Sequence, residues 1–171
     1  MRKSLQMACG TFSALFVLSA AYEVFACTPP PPPPPWMTAA QIEAEWNQRI
    51  LDSQIGDWSS AATVFIARVE SKGTVALGRG SRGRRAVLAP VLQIKGPDVE
   101  RRIRVQHTGF LCGANPALDA LDENADGYFM VYAFDEKPSA SSVFATTALD
   151  RLIDPNALEA WRSAYDRRRG Q

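Results

Sequence analysis

The sequence predicts a mainly β domain of five short strands with a helix at each end. Three observations predict it. Ala62–Val69 (ATVFIARV) and Tyr128–Phe134 (YFMVYAF) are runs rich in branched and aromatic residues. Arg102–Thr108 alternates, with Ile103, Val105 and His107 on one face and Arg102, Arg104 and Gln106 on the other. Two capped segments, opening at Thr38 and at Asp154, bracket these runs. The stretch Arg102–Phe134 is the centre of the chain, because two strand-like runs there flank one cysteine, Cys112, in a glycine-bounded turn.

The 171 residues suit one domain with extensions, and 46% hydrophobic with 22% charged residues is ordinary globular usage. The formal charge of +1 gives no global bias toward nucleic acid or acidic membranes. Residues 1–26 read as a signal peptide: Arg2 and Lys3, an apolar run from Thr11 to Ala21, then Val24-Phe25-Ala26. The run is shorter than the ~20 residues a membrane span needs, and Glu23 interrupts it, so the mature chain has no transmembrane span and is extracytoplasmic, periplasmic or secreted. Cleavage after Ala26 removes Cys9, and takes Lys+Arg from 19 to 17 and Asp+Glu from 18 to 17 through the loss of Arg2, Lys3 and Glu23.

Cys27 and Cys112 remain, and an even pair in an exported chain suggests a disulfide. A second reading competes. Val24-Phe25-Ala26-Cys27 loosely resembles a lipobox, which would make Cys27 the lipid anchor of an envelope lipoprotein. Phe25 is bulky where a small residue is usual, and lipidation would strand Cys112 as a lone thiol, so the disulfide takes precedence.

Residues 27–37 form a Cys-Thr start and a polyproline segment, Pro29–Pro35, stiff and extended at ~3.1 Å per residue. It reads as a spacer in preference to a docking ligand, since the aromatic grooves that take such ligands are mostly intracellular. The single domain spans 38–171. Thr38 with Gln41 is a capping box. Ile42, Trp46 and Ile50 share one helix face, Trp36 and Trp46 read as packing, and the helix is expected to end near Gly56. After the strand Ala62–Val69, with Val64 and Ile66 buried, Glu70–Arg85 reads as a polar connection ending in a solvated hairpin tip with Arg79, Arg82, Arg84 and Arg85. Aromatic interleaving is absent there, so the arginines do not argue for nucleic acid. Ala86–Ile94 is a strand that Pro90 makes an edge or a bulge, and Lys95–Asp98 is a turn. Tyr128–Phe134 is the central buried strand and Ser142–Ala148 the fifth. Asp154-Pro155 opens the last helix, with Leu158, Trp161 and Tyr165 on one face and Arg167–Arg169 in its last turn, where positive charge suits the helix dipole.

Catalytic constellations are not legible. His107 is the one histidine and reads as a hydrogen-bonded, half-buried side chain. No nucleophile elbow, HExxH or phosphate loop occurs, so the chain reads as non-enzymatic and without a cofactor. Asp122, Asn124 and Asp126, followed by Gly127, match the opening of a calcium loop, but the twelfth position is Ala133 where such a loop places a bidentate Glu. An Asp/Asn/Gly turn is the simpler reading.

The order Cys-Thr start, TVFIARV, AVLAPVLQIKGP, RIRVQHT, LCG and YFMVYA resembles the netrin-module and tissue-inhibitor-of-metalloproteinases superfamily in its small bacterial form, over roughly Cys27 to Leu152. The resemblance implies a five-stranded OB-like barrel flanked by helices, and a bond between the first cysteine, Cys27, and Cys112 in the Cys-Gly turn. The family's usual Cys-x-Cys start is here Cys27-Thr28-Pro29, and no cysteine lies near Thr146–Asp150, which leaves one bridge. It would close a loop of 86 residues, worth ~4 kcal/mol. In the animal inhibitors of this superfamily the first cysteine's amine and carbonyl chelate a protease's zinc, and Cys27 with Thr28 has the atoms to do so. The sequence therefore leads to an exported, non-enzymatic binding module with an unidentified protein partner. The alternatives are a metalloprotease inhibitor acting through Cys27 and Thr28, and a lipoprotein anchored at Cys27.

Overall fold

A strand whose two faces are both apolar can only lie in the middle of a sheet covered on both sides, and β1 (Thr63–Gly78) does so. Thr63, Val64, Phe65, Ile66 and Ala67 are all buried. The computed structural model describes residues 32–78, 81–99, 101–107, 118–139 and 141–170. Within them β1 is joined by β2 (Ser81–Lys95), β3 (Ile103–His107), β4 (Tyr128–Ala133) and β5 (Val143–Ala148) in one antiparallel sheet of order β3-β2-β1-β4-β5. Helices α1 (Ala39–Ser60) and α2 (Pro155–Arg169), and the short 3-10 turns η1 (Asp119–Leu121) and η2 (Leu149–Arg151), complete it.

The expected mainly β sheet with two helices is found, and β4 is buried along all but its first residue. Three expectations need correction. First, the sheet is open and does not close into a barrel. The outer edge of β5 meets the η1 segment: Leu118 bridges Thr146, the Ala120 N–H donates to Thr146 Oγ1 at 3.0 Å, and the Ala148 N–H donates to Asp119 Oδ2 at 3.0 Å. Edge groups satisfied in this way do not need β3. Second, Glu70–Arg85 is strand rather than a connection: β1 and β2 pair from Ser71–Val87 out to Gly78–Ser81, with β3 beside β2 as far as Arg84 and only two strands beyond it. Third, α1 runs past Gly56 to Ser60, and the start of its expected apolar face is uncovered: Ile42 is 36% and Trp46 63% exposed, as is Trp36 ahead of the helix, while Ile50 is half-buried.

The sheet separates two cores. On one face Phe65, Leu88, Ile103, Val105, Phe129 and Val131 pack beneath Leu118 and Leu121. On the other, Val64, Met130, Tyr132 and Ala145 meet Trp58 of α1 and Ala157, Leu158 and Trp161 of α2. Each fully buried Phe contributes roughly 1.5–3 kcal/mol relative to exposure.

Both helices begin as their caps dictate. Thr38 Oγ1 accepts from the Gln41 N–H while Gln41 Oε1 accepts from the Thr38 N–H, and Asp154 Oδ1 accepts from the Asn156 N–H ahead of Pro155. Only the C-terminal part of α1 is anchored. Gln54, its one buried residue, donates to the Arg151 carbonyl at 2.9 Å and accepts from the Ile153 and Asp154 N–H groups at 2.8 and 3.0 Å. Lys95 donates to the Trp58 carbonyl at 3.2 Å, supplying the positive charge that the last turn of α1 lacks.

Candidate binding cleft

The residue that shapes the candidate site is Val91. In β2 the pairing passes from Leu92 opposite Ile66 to Pro90 opposite Ala67, so Val91 is left over as a bulge. Pro90 lies beyond the stretch Arg84–Leu88 that β3 covers, where no neighbour needs its missing N–H. In a regular strand neighbouring side chains point to opposite faces. Here Val91 and Leu92 both line one cleft.

That cleft lies between the sheet and the C-terminal half of α2 and encloses about 620 Å³, within the range of small-molecule sites. Ile66, Val91, Leu92 and Leu149 supply its aliphatic surface, and Tyr128, Trp161 and Tyr165 its aromatic surface. Trp161 and Tyr165 are four residues apart on α2 and so share a face. Arg168 and Arg169 complete the lining, which among the described residues contains no carboxylate. Arg168 donates to the carbonyl of the bulged Val91. The Arg169 guanidinium stands over the Tyr165 ring, 5.9 Å from its centroid. The sequence marked Trp161 and Tyr165 as one apolar face, but the bulge that opens a cleft beside them had no signal except Pro90.

The other residues singled out by the sequence are not at this cleft. Cys27, Thr28, Cys112 and Arg79, with residues 1–26, lie outside the described residues. Asp122, Asn124 and Asp126 lie in the loop before β4. There the Lys72 ammonium donates to the carbonyls of Asp122 (3.2 Å), Glu123 (3.1 Å) and Ala125. Asp126 Oδ1 accepts from the N–H of Gly127, whose φ of +88° suits glycine. The cation facing these carbonyls is thus the chain's own lysine, and no group of three metal-ligating side chains occurs among the described residues. His107 ends β3, half-buried and opposite Arg84, which itself pairs with Glu123 at 3.0 Å. Arg82 and Arg85 lie on the outer part of β2.

A buried polar junction, which sequence reasoning missed, joins α1, α2 and β4. Burial pushes the Asp57 carboxyl up to about 6. Burial, then the nearby charges of Asp57 and Asp154, push the Tyr132 phenol well above its ordinary value. Asp154 Oδ2 and Thr63 Oγ1 are buried without a hydrogen-bond partner among the described residues.

No family model, no curated protein and no solved structure matches the chain. No helix among the described residues is long and apolar enough to cross a membrane.

Proposed function

We propose that the protein is an exported, non-enzymatic binding module and that the cleft under α2 is its binding site. The carrying observation is a preformed recess of about 620 Å³ with aliphatic and aromatic surfaces and two guanidinium groups. Such recesses bind by burying apolar surface, with a few polar groups fixing orientation. The N-terminal segment 1–26 supports export, and the pairing of Cys27 with Cys112 belongs to the same reading. The OB-like, netrin-module reading has its own support. That support is the strand order β3-β2-β1-β4-β5 with a helix before and after the strands, in a sheet that stays open.

The test is saturable binding of an anionic, amphiphilic fluorescent dye, 8-anilinonaphthalene-1-sulfonate, to purified protein. One site is expected, lost in Val91→Trp, whose indole obstructs the recess. No saturable binding, or binding indifferent to Val91→Trp in a variant that melts like the wild type, would remove the cleft from consideration. Inhibition of metalloproteases through Cys27 and Thr28 remains the reading implied by the family resemblance. It requires a free Cys27 amine, so one residue added ahead of Cys27 should abolish inhibition and leave the fold intact, whereas lipidation of Cys27 would block the amine altogether.

A further inference from the structure

Resting on the cleft as a binding site, we propose that its ligand is a monomeric anionic amphiphile of the long-chain carboxylate class, with its chain in the recess and its carboxylate on Arg168 and Arg169. Among the described residues the charge in the lining is of one sign, since both charged side chains are arginines and no carboxylate is among them. A carboxylate pairs with them, and the planar fork of Arg suits carboxylate geometry.

Both groups are exposed at the rim of the recess, and each makes one contact there. Arg168 uses a donor on the Val91 carbonyl and keeps others of its five N–H groups for a ligand. Arg169 is stationed over Tyr165. The negative end of the α2 dipole opposes an anion here with about half a charge, and the three arginines of the last turn outweigh it. The apolar part of the ligand would meet Ile66, which is 3% exposed, and the aromatic rings above it. A recess with its floor on a buried strand admits a single chain, whereas a flat bilayer surface would meet only the rim.

The test compares dodecanoate with dodecanol by calorimetric titration, below their aggregation concentrations. Dodecanoate is expected to bind once per chain, about tenfold tighter than dodecanol, with the preference falling as salt is raised. The double substitution Arg168→Gln/Arg169→Gln should erase that preference, so that the two ligands bind with equal affinity, and Val91→Trp should abolish both. Equal affinities for the two ligands in the wild type would overturn the anionic specificity while leaving the cleft as a binding site. Failure of both to bind would overturn the specificity and the binding reading together. Dodecanoate binding that survives Val91→Trp would place the ligand elsewhere. Binding to anionic phospholipid vesicles without binding to dodecanoate would make the arginines a membrane contact and also overturn the proposal.

Discussion

Replacing Asp57 with asparagine should make the protein more stable at neutral pH. Asp57 lies in the last turn of α1, and burial raises its carboxyl from 3.8 to about 6. The native state therefore holds a proton that the unfolded chain has already released across that interval. Stability is greatest below 3.8, falls as pH rises toward about 6, and stays reduced above it. At about 1.36 kcal/mol per pH unit the full interval corresponds to at most ~3 kcal/mol. Asp57 keeps partial solvent access, so ~1–2 kcal/mol is the expected effect. Asparagine keeps the shape and removes the ionisation. Urea unfolding of the two proteins, followed by tryptophan fluorescence from pH 4 to 7.5, should show the stability of Asp57→Asn relative to wild type rising by that amount and levelling off above about pH 6. A difference that is flat with pH, or that moves in favour of the wild type as pH rises, would refute the reasoning. Either would mean that the ionised carboxylate has a favourable partner at the α1 terminus.

Gln54→Ala removes three hydrogen bonds between α1 and the segment Arg151–Asp154, and should cost ~2–4 kcal/mol and release α1, read as lost amide-exchange protection in both. Gly96→Ala should cost more than ~2 kcal/mol, measured by denaturant unfolding, because φ is +81° and the new Cβ would stand 2.8 Å from the Ala62 carbonyl oxygen. Lys72→Met should lower stability by ~1 kcal/mol by freeing the Asp122–Ala125 carbonyls. Millimolar Ca²⁺ should leave the melting temperature of the wild type unchanged, and a Ca²⁺-dependent rise would show that the loop takes the metal despite the lysine. The intact mass of mature protein should be lighter by two hydrogens than after reduction, with Cys27 at its start, and an added diacylglycerol would instead identify a lipoprotein.

Much of the element list was legible because it rests on local rules. Thr38 with Gln41 and Asp154 with Pro155 mark helix starts through groups at most three residues apart, and both helices begin there. The alternation of Arg102–Thr108 needs no neighbour to be recognised, and its Ile103 and Val105 are buried as it required. The outer part of the β1–β2 ribbon escaped notice because polar residues such as Glu70, Lys72 and Arg84 dominate it, and a ribbon wetted on both sides has no apolar period to read. Periodicity placed Ile42, Trp46 and Ile50 on one face of α1, but a shared face does not say that anything covers it. The candidate site was half legible in the same sense. Trp161 and Tyr165 were seen as one stripe, and Arg167–Arg169 as charges suited to a helix end.

By itself, the sequence determined the five strand-forming runs, the two helix starts, the buried character of β4 and the turn at Asp122–Gly127, since each depends on propensity, capping or backbone freedom within a few residues. Only the tertiary structure decided that Gln54 would satisfy backbone groups 97 to 100 residues away, that Lys72 would meet the carbonyls of the Asp122 loop, and that η1 would take the edge of β5 and leave the sheet open. It also decided that a bulge at Val91 would bring two consecutive side chains to a cleft under Trp161. The physical reason is common to all four. A polar group or a strand edge is satisfied by whichever partner the folded chain brings near, and the sequence around each group does not specify that partner.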